Sequence, residues 1–441
     1  GKGRIRNVIF LIGDGMGLSQ ITAAAYANCG LTLMNFNYIG LQRNNALGAF
    51  TTDSAAGGSA LATGERHANR HISMTEQGEA VPSLSDWFRG KGLPVGVVTL
   101  GNAVDATPTA FYGHSVERDN ADELTRCLLD TPVDLLCGSG IRQFTERGDG
   151  IDLIGELSKS YRFVRSIDEI NAAEGRVVCI DERMDEAAEE SNLGLLAEAT
   201  RAAIDKLQER GDKGFFLMVE GAKIDYAGHS RCLPGSVIEM LSFDLAVAEA
   251  LKFADENGQT LVVVTADHET GGMAIGYKTT NYDTFLTNLT HQKMSYAKFD
   301  STYVQNYIAN KTPFEAAMQD VKANFGLTLP TDPDAANAGK LLLTDYEVEN
   351  LRTAYERTLK VGSSSQSKMS QQDYELYGTY IPFSMAICHT INHKSGMDHT
   401  TYAHTGAMVN VYANGVGAEN FGGVFDNTEI FHKLADLTKV K

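Results

Sequence analysis

Short apolar runs alternate along this chain with longer segments whose apolar residues recur at three- and four-residue steps. The runs are typical of buried strands in a parallel sheet, and the longer segments are typical of amphipathic helices. Strands that alternate with helices predict an α/β fold, here a three-layer α/β/α sandwich around a large, mostly parallel sheet. The clearest runs cover residues 7–12, 94–99, 214–219 and 260–265, and the clearest helical segments cover residues 193–210 and 235–256.

Acids and histidines follow the carboxyl ends of these predicted strands. Open α/β sheets place their ligand sites at that edge, so we expect side chains that are far apart in sequence to meet there. The residues concerned are Asp14 after the first run, Glu220 and Asp225 after the third, and Asp267 and His268 after the fourth.

Composition and charge exclude several classes of protein. The 441 residues are 43% hydrophobic and 21% charged, as in ordinary globular proteins, and no apolar run approaches the roughly 20 residues of a membrane span. The net charge of −18 argues against a nucleic-acid-binding surface, which needs faces rich in lysine and arginine. No signal peptide is visible. The six cysteines lack CxxC spacing, so a structural zinc cage is not expected, and thiols and disulfides both stay open.

Residues 277–392 differ in character from the rest of the chain. They are rich in Tyr, Asn, Thr and Lys, with helical pieces predicted at 314–325 and 346–359 and a Ser/Gln-rich loop predicted at 360–372. We interpret residues 277–392 as a crown-like insertion, and we expect residues 1–441 to form a single domain around it.

Ser54 follows Asp53 and leads into a run of small residues, 55–64, which is typical of a tight turn that opens a closely packed helix. At a helix N-terminus, backbone N–H groups favour a phosphate anion. The stretch Asp-Ser-Ala-Ala by itself is more often a plain N-cap. A nucleophilic role for Ser54 therefore depends on what surrounds it.

The residues after the strands suit metal ions. Catalytic zinc takes nitrogen and oxygen ligands in roughly tetrahedral sets with one open position, and magnesium prefers hard oxygens. A single histidine is more often a structural residue, but the joint appearance of these residues after strand ends favours metal sites. Asp225, His229 and His404 can make one zinc set, Asp14, Asp267 and His268 can make another, and Asp14, Thr107 and Glu220 suit magnesium.

Six motifs, in this order, resemble those of the alkaline phosphatase family. The matching blocks run from residue 8 to about 276 and from 401 to 433, and so cover most of the chain outside the insertion. The motifs are Gly-Asp-Gly-Met-Gly from residue 13, Asp-Ser-Ala-Ala from 53, Asp-Ala-Thr-Pro from 105, Val-Glu-Gly-x-x-Ile-Asp-x-x-x-His from 219, Thr-Ala-Asp-His from 265 and His-Thr-Gly from 404.

The resemblance implies a role for each site residue. It implies that Ser54 is the nucleophile that becomes phosphorylated, that Arg118 grips the phosphate oxygens, and that Asp105 holds a metal-bound water near the magnesium. It assigns one zinc to Asp225, His229 and His404, a second zinc to Asp14, Asp267 and His268, and magnesium to Asp14, Thr107 and Glu220.

The implied function is hydrolysis of small phosphate monoesters at alkaline pH through a phosphoserine, with two zinc ions and one magnesium ion. The family is usually homodimeric, and the resemblance implies export to a bacterial periplasm or cell surface. Bacterial relatives also carry a disulfide whose second cysteine lies shortly after the zinc-binding histidine, as Cys232 follows His229 here. Cys179 is the candidate partner of Cys232.

Two features depart from the family pattern. Tyr226 stands where relatives carry Lys, His or Trp, so we expect a ring close to the bound phosphate, or to its water, that adds only a neutral hydroxyl and retains product weakly. The insertion also brings His389, His393 and His399 close in sequence to His404. We interpret these three as solvated loop residues, and the alternative is that one lines the cleft as a metal ligand.

Other functions fit less well. A phosphodiesterase or nucleotide pyrophosphatase on the same two-metal scaffold would lack the arginine and the third metal, so Arg118 and Glu220 favour a monoesterase. The Cys-x-Pro-x-Arg pattern of sulfatases is absent. A metal-dependent phosphate-binding protein without turnover would need a damaged catalytic residue, and the sequence shows none.

Overall fold

The computed structural model describes residues 3–188, 192–362 and 369–441. Within these ranges the strands are β1 (Asn7–Gly13), β2 (Tyr38–Arg43), β3 (Val95–Asn102), β4 (Leu135–Ser139), β5 (Tyr161–Val164), β6 (Arg176–Ile180), β7 (Phe216–Gly221), β8 (Thr260–Thr265), β9 (Glu269–Thr270), β10 (Ala274–Ile275), β11 (Met397–Asp398), β12 (His404–Thr405), β13 (Val409–Gly415) and β14 (Gly423–Asp426).

One large sheet in the order β14-β2-β13-β8-β1-β7-β3-β4-β6-β5 forms the centre of the fold. Neighbouring strands are parallel except at β13, which runs antiparallel to both β2 and β8. Two short antiparallel pairs, β10 with β11 and β12 with β9, lie outside this sheet. The strands β8, β1, β7 and β3 are therefore consecutive neighbours, and their carboxyl ends lead to Asp267, Asp14, Asp225 and Asp105.

The helices occupy the connections between strands and most of the insertion. No helix of the described ranges is long and apolar enough to cross a membrane. The helices are α1 (Leu18–Ala27), α2 (Ser54–Thr63), α3 (Leu84–Gly90), α4 (Ala106–Ala110), α5 (Ala121–Asp130), α6 (Ile141–Thr145), α7 (Leu153–Leu157), α8 (Leu195–Arg210), α9 (Lys223–His229), α10 (Leu233–Asn257), α11 (Tyr296–Phe299), α12 (Gln305–Asn310), α13 (Phe314–Phe325), α14 (Asp345–Val361), α15 (Gln371–Tyr377), α16 (Pro382–Lys394) and α17 (Thr428–Thr438).

Helices cover both faces of the large sheet, because successive side chains of each buried strand point to opposite faces. On β1, Ile9 and Leu11 pack into a hydrophobic cluster that contains residues of α8 and α10. Val8 and Phe10 pack into a second cluster that contains residues of α2 and α17. The predicted three-layer α/β architecture is confirmed.

The segment 277–392 is mainly helical and packs on the layer that contains α10. Its Phe299 and Phe383 belong to the same hydrophobic cluster as Phe243 of α10. Helix α13 has the predicted bounds, and α14 runs to Val361, into the predicted loop 360–372, whose residues 363–368 lie outside the described residues. The single-domain organisation of residues 1–441 stays a prediction, and the shared cluster supports it.

The expectation that His389, His393 and His399 are solvated loop residues is wrong. His389 and His393 lie on α16, and the imidazole of His393 stacks on the ring of Tyr277 at a centroid distance of 4.0 Å. His399 is only 3% exposed. The apolar residues of α16 pack into the hydrophobic cluster of the insertion, and this packing also buries residues next to the helix. Within the described residues, none of the three belongs to a group of side chains that could hold a metal.

Burial of His399 predicts a loss of stability in acid. Burial first, and then the positive charge of Arg231, lowers the pKa of His399 from 6.5 to about 3, and neither ring nitrogen has a hydrogen-bond partner among the described residues. Asp398 opposes this shift and His393 adds to it. The unfolded chain therefore takes up this proton near pH 6.5, whereas the folded chain does so only near pH 3.

Stability is thus expected to fall as the pH falls through this window, by up to about 1.4 kcal/mol per pH unit for one such group. Above pH 6.5 the contribution is fully present. His399→Leu should flatten this part of the pH profile. Urea unfolding of metal-free protein at pH 7.5 and pH 5, with and without the substitution, measures it. Equal losses in the two proteins would show that His399 is not the group responsible.

The expected disulfide between Cys179 and Cys232 is wrong. Cys179 lies in β6, opposite Cys137 of β4, whereas Cys232 immediately precedes α10, which packs over β8, β1 and β7. Strands lie about 4.8 Å apart and β3 and β4 separate β6 from β7, so Cys179 and Cys232 are too distant for a bridge, which needs Cα atoms within about 7 Å.

The structure joins none of the six cysteines, all of which lie in described ranges, in a disulfide. We therefore expect all six to react with a thiol reagent after denaturation without reductant. A smaller number would reveal a bridge that the structure does not contain.

Candidate active site

Ser54 is the first residue of α2, and the residue that caps this helix is its neighbour Asp53. Asp53 Oδ1 accepts a hydrogen bond from the backbone N–H of Ala56 at 2.8 Å. Ser54 therefore does not serve as the N-cap. Its Oγ lies 3.2 Å from Asp14 Oδ2, and its side chain faces the carboxyl ends of the central strands although the residue is only 6% exposed.

The small residues of α2 allow this close approach. Every residue of α2 is buried, and a Cβ at Gly57 would lie 3.1 Å from the carbonyl oxygen of Asp267 and 3.2 Å from its Cβ. A larger side chain at residue 57 would push the helix away from the loop that follows β8. The run of small residues thus holds Ser54 against that loop.

One group of possible metal ligands surrounds Ser54. His268 Nε2 lies 3.1 Å from Asp267 Oδ2, 3.4 Å from Asp14 Oδ1 and 3.0 Å from Ser54 Oγ. The Nδ1 of His268 lies 3.2 Å from the carbonyl oxygen of Glu269. A carbonyl can only accept, so Nδ1 carries the proton and Nε2 presents its lone pair to Asp14, Asp267 and Ser54.

A second group lies beside the first and has the same arrangement. His229 Nε2 lies 3.3 Å from Asp225 Oδ2 and 3.2 Å from His404 Nε2, which is itself 3.3 Å from Asp225 Oδ1. The Nδ1 atoms of His229 and His404 donate to the carbonyl oxygens of Tyr402 and Thr52, at 2.6 and 2.8 Å. Both imidazoles therefore turn their Nε2 atoms towards one point.

The ring of His404 stacks on that of His268 at a centroid distance of 3.5 Å, so the two groups adjoin. In each group the possible ligand atoms lie within 4.8 Å of one another. The structure thus brings together the six residues that the sequence analysis assigned to two zinc ions.

A third group of oxygen atoms surrounds Asp14 on its other side. Thr107 Oγ1 donates to Asp14 Oδ2 at 3.0 Å. Glu220 is 1% exposed, and its Oε2 accepts from Thr99 Oγ1 at 2.5 Å, whereas its Oε1 has no hydrogen-bond partner within the described parts of the chain. A buried carboxylate oxygen without a donor is costly, and a hard cation would satisfy it.

The excess of buried carboxylates at the site also favours the binding of cations. Burial, and then the neighbouring carboxylates, raises the pKa of Asp14 well above its usual range, and burial raises the pKa of Glu220 to about 8. Burial alone would raise the pKa of Asp225 too, but the adjacent imidazoles of His229 and His404 hold it well below its usual range. The protein side chains leave a negative excess that divalent ions would neutralise, with release of protons.

Arg118 supplies a positive charge at this cleft, as does Lys223, whose ammonium lies over the ring of Tyr226. Arg118 is half-buried, and its Nη1 lies 3.3 Å from Asp53 Oδ2. Asp53 therefore both caps α2 beside Ser54 and fixes the guanidinium. The planar fork of an arginine suits two oxygens of one phosphate.

Asp105 and Tyr226 lie next to each other and near Glu220, which belongs to the third group. Asp105 is the N-cap residue of α4, but its carboxylate does not cap the helix. Instead Asp105 Oδ2 accepts a hydrogen bond of 2.6 Å from the hydroxyl of Tyr226. The Tyr226 ring is expected close to the phosphate or to its water, and nothing in the sequence indicates this hydrogen bond.

Several residues that organise the site have no signature in the sequence. Thr270 Oγ1 donates to Asp225 and lies 3.2 Å from His268 Nδ1, so it links the two groups. Glu269 accepts hydrogen bonds from Gln20 and Thr405. A Thr two residues after His268 was visible in the sequence, but nothing there indicated what it would contact.

The fold and the chain resemble known proteins over nearly their whole length. The family model described as alkaline phosphatase matches residues 5–440. Alkaline phosphatase 4 of Bacillus subtilis is 30% identical over 97% of this chain and 87% of its own length.

Solved structures share the fold of this chain. The cold-active alkaline phosphatase of a psychrophilic Shewanella species superposes with a TM-score of 0.81 at 24% identity, over 98% of this chain and 99% of that one. A variant of the alkaline phosphatase from the Antarctic bacterium TAB5, with magnesium bound in its M3 site, superposes with a TM-score of 0.70 at 24% identity, over 100% and 99% of the two chains. The chain therefore belongs to the alkaline phosphatase family and is a metal-dependent phosphatase.

Proposed function

We propose that this phosphatase hydrolyses small phosphate monoesters at alkaline pH through a phosphoserine at Ser54, with two zinc ions and one magnesium ion. The observation that carries the proposal is the position of Ser54 Oγ, 3.0 Å from His268 Nε2 and 3.2 Å from Asp14 Oδ2, among groups of buried metal-type ligands. The donor sets fit the ions, because each zinc would have histidine nitrogen and carboxylate oxygen, and magnesium would have oxygen alone.

The reaction divides into two displacements at phosphorus. In the first, Ser54 Oγ forms a bond to phosphorus while the ester oxygen leaves as the alcohol. In the second, the oxygen of a water molecule bonds to phosphorus and Ser54 Oγ leaves, which gives inorganic phosphate and free serine. When bound, two zinc ions supply Lewis-acid stabilisation of the attacking and leaving oxygens.

The side chains around the phosphate have distinct tasks. Arg118 binds two non-bridging oxygens through its fork, and Asp53 keeps that fork in place. The N-terminus of α2 presents backbone N–H groups towards the phosphate. Asp14, Asp267 and His268 would hold one zinc, and Asp225, His229 and His404 would hold the other.

We assign magnesium to Asp14, Thr107 and Glu220. Their donors are oxygens, and Asp105 adds a further carboxylate nearby where some relatives carry a histidine. Oxygen-only surroundings favour hydrated, octahedral magnesium over a third zinc. A variant of the TAB5 alkaline phosphatase has magnesium bound in its M3 site. We also propose export from the cell and assembly into a homodimer, both on the family resemblance alone.

Rates on two synthetic esters test the proposal against its rivals. An aryl phosphate monoester should be hydrolysed much faster than the corresponding bis-aryl diester. A monoester has three unesterified oxygens, two for the fork of Arg118 and one for the metal ions, whereas a diester has only two. A preference for the diester would favour a phosphodiesterase or nucleotide pyrophosphatase. Binding of phosphate with no turnover of either ester would favour a non-catalytic phosphate-binding protein.

Tyr226→Lys is expected to bind inorganic phosphate more tightly. Partly screened charges at short range interact by about 1–4 kcal/mol, and an ammonium at this position adds attraction that a phenol lacks. Turnover should slow wherever product release limits it. The phosphate inhibition constants of the two forms at one pH and ionic strength give the answer. Tyr226→Phe is the matched control, because it loses the bond to Asp105 without adding charge. If the inhibition constant of the Lys variant is unchanged or higher, the side chain at this position points away from the phosphate.

A further inference from the structure

His229 owes its orientation to a backbone segment that binds no metal itself. Its Nδ1 donates to the carbonyl oxygen of Tyr402 at 2.6 Å, two residues before His404. The segment 399–402 therefore orients His229 through this carbonyl, and it leads along the chain to His404 of the same group. Partners that fix the outer nitrogen of a ligating histidine typically change metal affinity by about 10–100-fold when they are lost.

Arg231 lies two residues after the end of α9 and binds the segment 399–402 through its side chain. Its Nη2 donates to the carbonyl oxygen of His399 at 2.8 Å, and its Nε donates to that of Thr401 at 3.3 Å. The guanidinium also lies over the ring of Tyr402, 4.3 Å from the centroid. Among the described residues no carboxylate lies within ion-pair distance of Arg231. The side chain therefore acts as a fork on backbone carbonyls, a geometry that lysine cannot reproduce.

The backbone of Arg231 is itself held in an unusual conformation. Its φ is +54°, a left-handed value that costs free energy for a residue with a side chain and persists only where the surroundings enforce it. Asn392 of α16 donates to the carbonyl oxygen of Arg231 at 2.6 Å. Such strain, where the surroundings enforce it, is found mainly at functional sites.

The insertion also holds Tyr402 directly. The hydroxyl of Tyr402 donates to the carbonyl oxygen of Glu375 in α15 at 3.1 Å. Its ring packs against Tyr374 and His389, at centroid distances of 5.8 and 6.2 Å. Helices α15 and α16 thus touch both Arg231 and the residue whose carbonyl orients His229.

We propose that Arg231 is a positioning residue for the zinc site of Asp225, His229 and His404, and that the insertion acts on this site through Arg231 and Tyr402. The inference rests on the proposed function, since it requires zinc at that group. The segment 277–392 would then help to retain the zinc ion held by Asp225, His229 and His404. The second zinc ion, held by Asp14, Asp267 and His268, would not depend on this segment.

Zinc release tests the proposal. Protein with two zinc ions is mixed with an excess of a chromogenic chelator, and the rate of each release phase is measured. The phase that belongs to this site is the one that disappears in His229→Ala. Arg231→Lys keeps the charge and loses the fork, and it should speed that phase at least about tenfold while the other phase stays as in the wild type. Asn392→Leu, which frees the carbonyl of Arg231, should act in the same direction.

Arg147→Lys is the matched control. Like Arg231, Arg147 donates to backbone carbonyls, those of Asp122 and Gln143. It differs in that it also pairs with Asp149, and it lies outside the metal groups. It should leave both release phases unchanged. In metal-free protein, amide hydrogen exchange in residues 399–404 should also be faster with Arg231→Lys than with Arg147→Lys.

Two results would overturn the inference. Wild-type release rates in both Arg231→Lys and Asn392→Leu would show that neither contact positions the site, and equal acceleration of both phases would show general loosening. A wild-type protein that retains fewer than two zinc ions would instead refute the proposed function, so the two failures can be told apart.

Discussion

Ser54→Ala is expected to lower kcat for phosphate monoesters by about 10³- to 10⁶-fold, the range typical for loss of a nucleophile that acts within a catalytic unit. That loss corresponds to about 4–8 kcal/mol of transition-state stabilisation. The reason is structural as well as chemical. Ser54 Oγ lies within 3.3 Å of both Asp14 and His268, and no other hydroxyl of α2 makes these contacts within the described chain.

The measurement needs a control for the loss of a buried hydroxyl. Ser85 in α3 is also buried, and its Oγ has no hydrogen-bond partner among the residues described. Ser85→Ala should keep wild-type kcat. Labelled inorganic phosphate, trapped at low pH, should mark wild-type protein on the peptide that contains Ser54 and leave Ser54→Ala unmarked.

Measuring the metal content of Ser54→Ala distinguishes loss of the nucleophile from loss of bound metal as the cause of lower activity. Ser54→Ala keeps every residue of the three ligand groups, so its zinc and magnesium content should match the wild type. Full activity in Ser54→Ala, with no trapped phosphoenzyme in either protein, would show that hydrolysis proceeds without a covalent intermediate.

The fold and the location of the site could be predicted because both follow from the strands. Buried parallel strands have a distinct apolar pattern, and their carboxyl ends meet at one edge of the sheet. Asp14, Asp225 and Asp267 could therefore be expected together although more than 200 residues separate the first from the others. The order β8-β1-β7 in the sheet then places the loops that carry them side by side.

The contacts that orient these residues could not be predicted in the same way. The acceptors for His229 and His404 are the backbone carbonyls of Tyr402 and Thr52, and every residue has a carbonyl. The hydrogen bond from Tyr226 to Asp105 joins residues from two connections whose relative position depends on packing.

The failed predictions have the same cause. The resemblance and the place of Cys179 along the chain suggest a bridge to Cys232, but the order of the strands in the sheet decides the distance between the two cysteines. His399 does lie in a loop, just after β11, but it is buried and not solvated. It lies against Gly271, and its carbonyl oxygen binds Arg231, so its burial depends on residues far away in the sequence.

Removal of divalent metals is expected to lower turnover by about 10³-fold or more, because bound metals contribute several kcal/mol of charge stabilisation at the transition state. It should also lower stability. An ion that binds only the folded state adds about 4 kcal/mol when its free concentration is a thousandfold above its dissociation constant. Without ions, the carboxylates of Asp14, Glu220 and Asp267 stay buried together with too little positive charge around them.

Chelation followed by dialysis, with elemental analysis at each stage, measures both effects. We expect two zinc ions and one magnesium ion per active chain, and activity should return when both metals are added back. Asp225→Asn is the matched variant, since it removes the charge of one ligand from one zinc group and leaves the Asp14, Asp267 and His268 group intact. It should bind one zinc less at limiting metal. Full activity with fewer than two metals per chain would contradict the two-zinc assignment. Anomalous scattering from zinc between Thr107 and Glu220 would refute the magnesium assignment alone, because each zinc group has histidine ligands of its own that this oxygen site lacks.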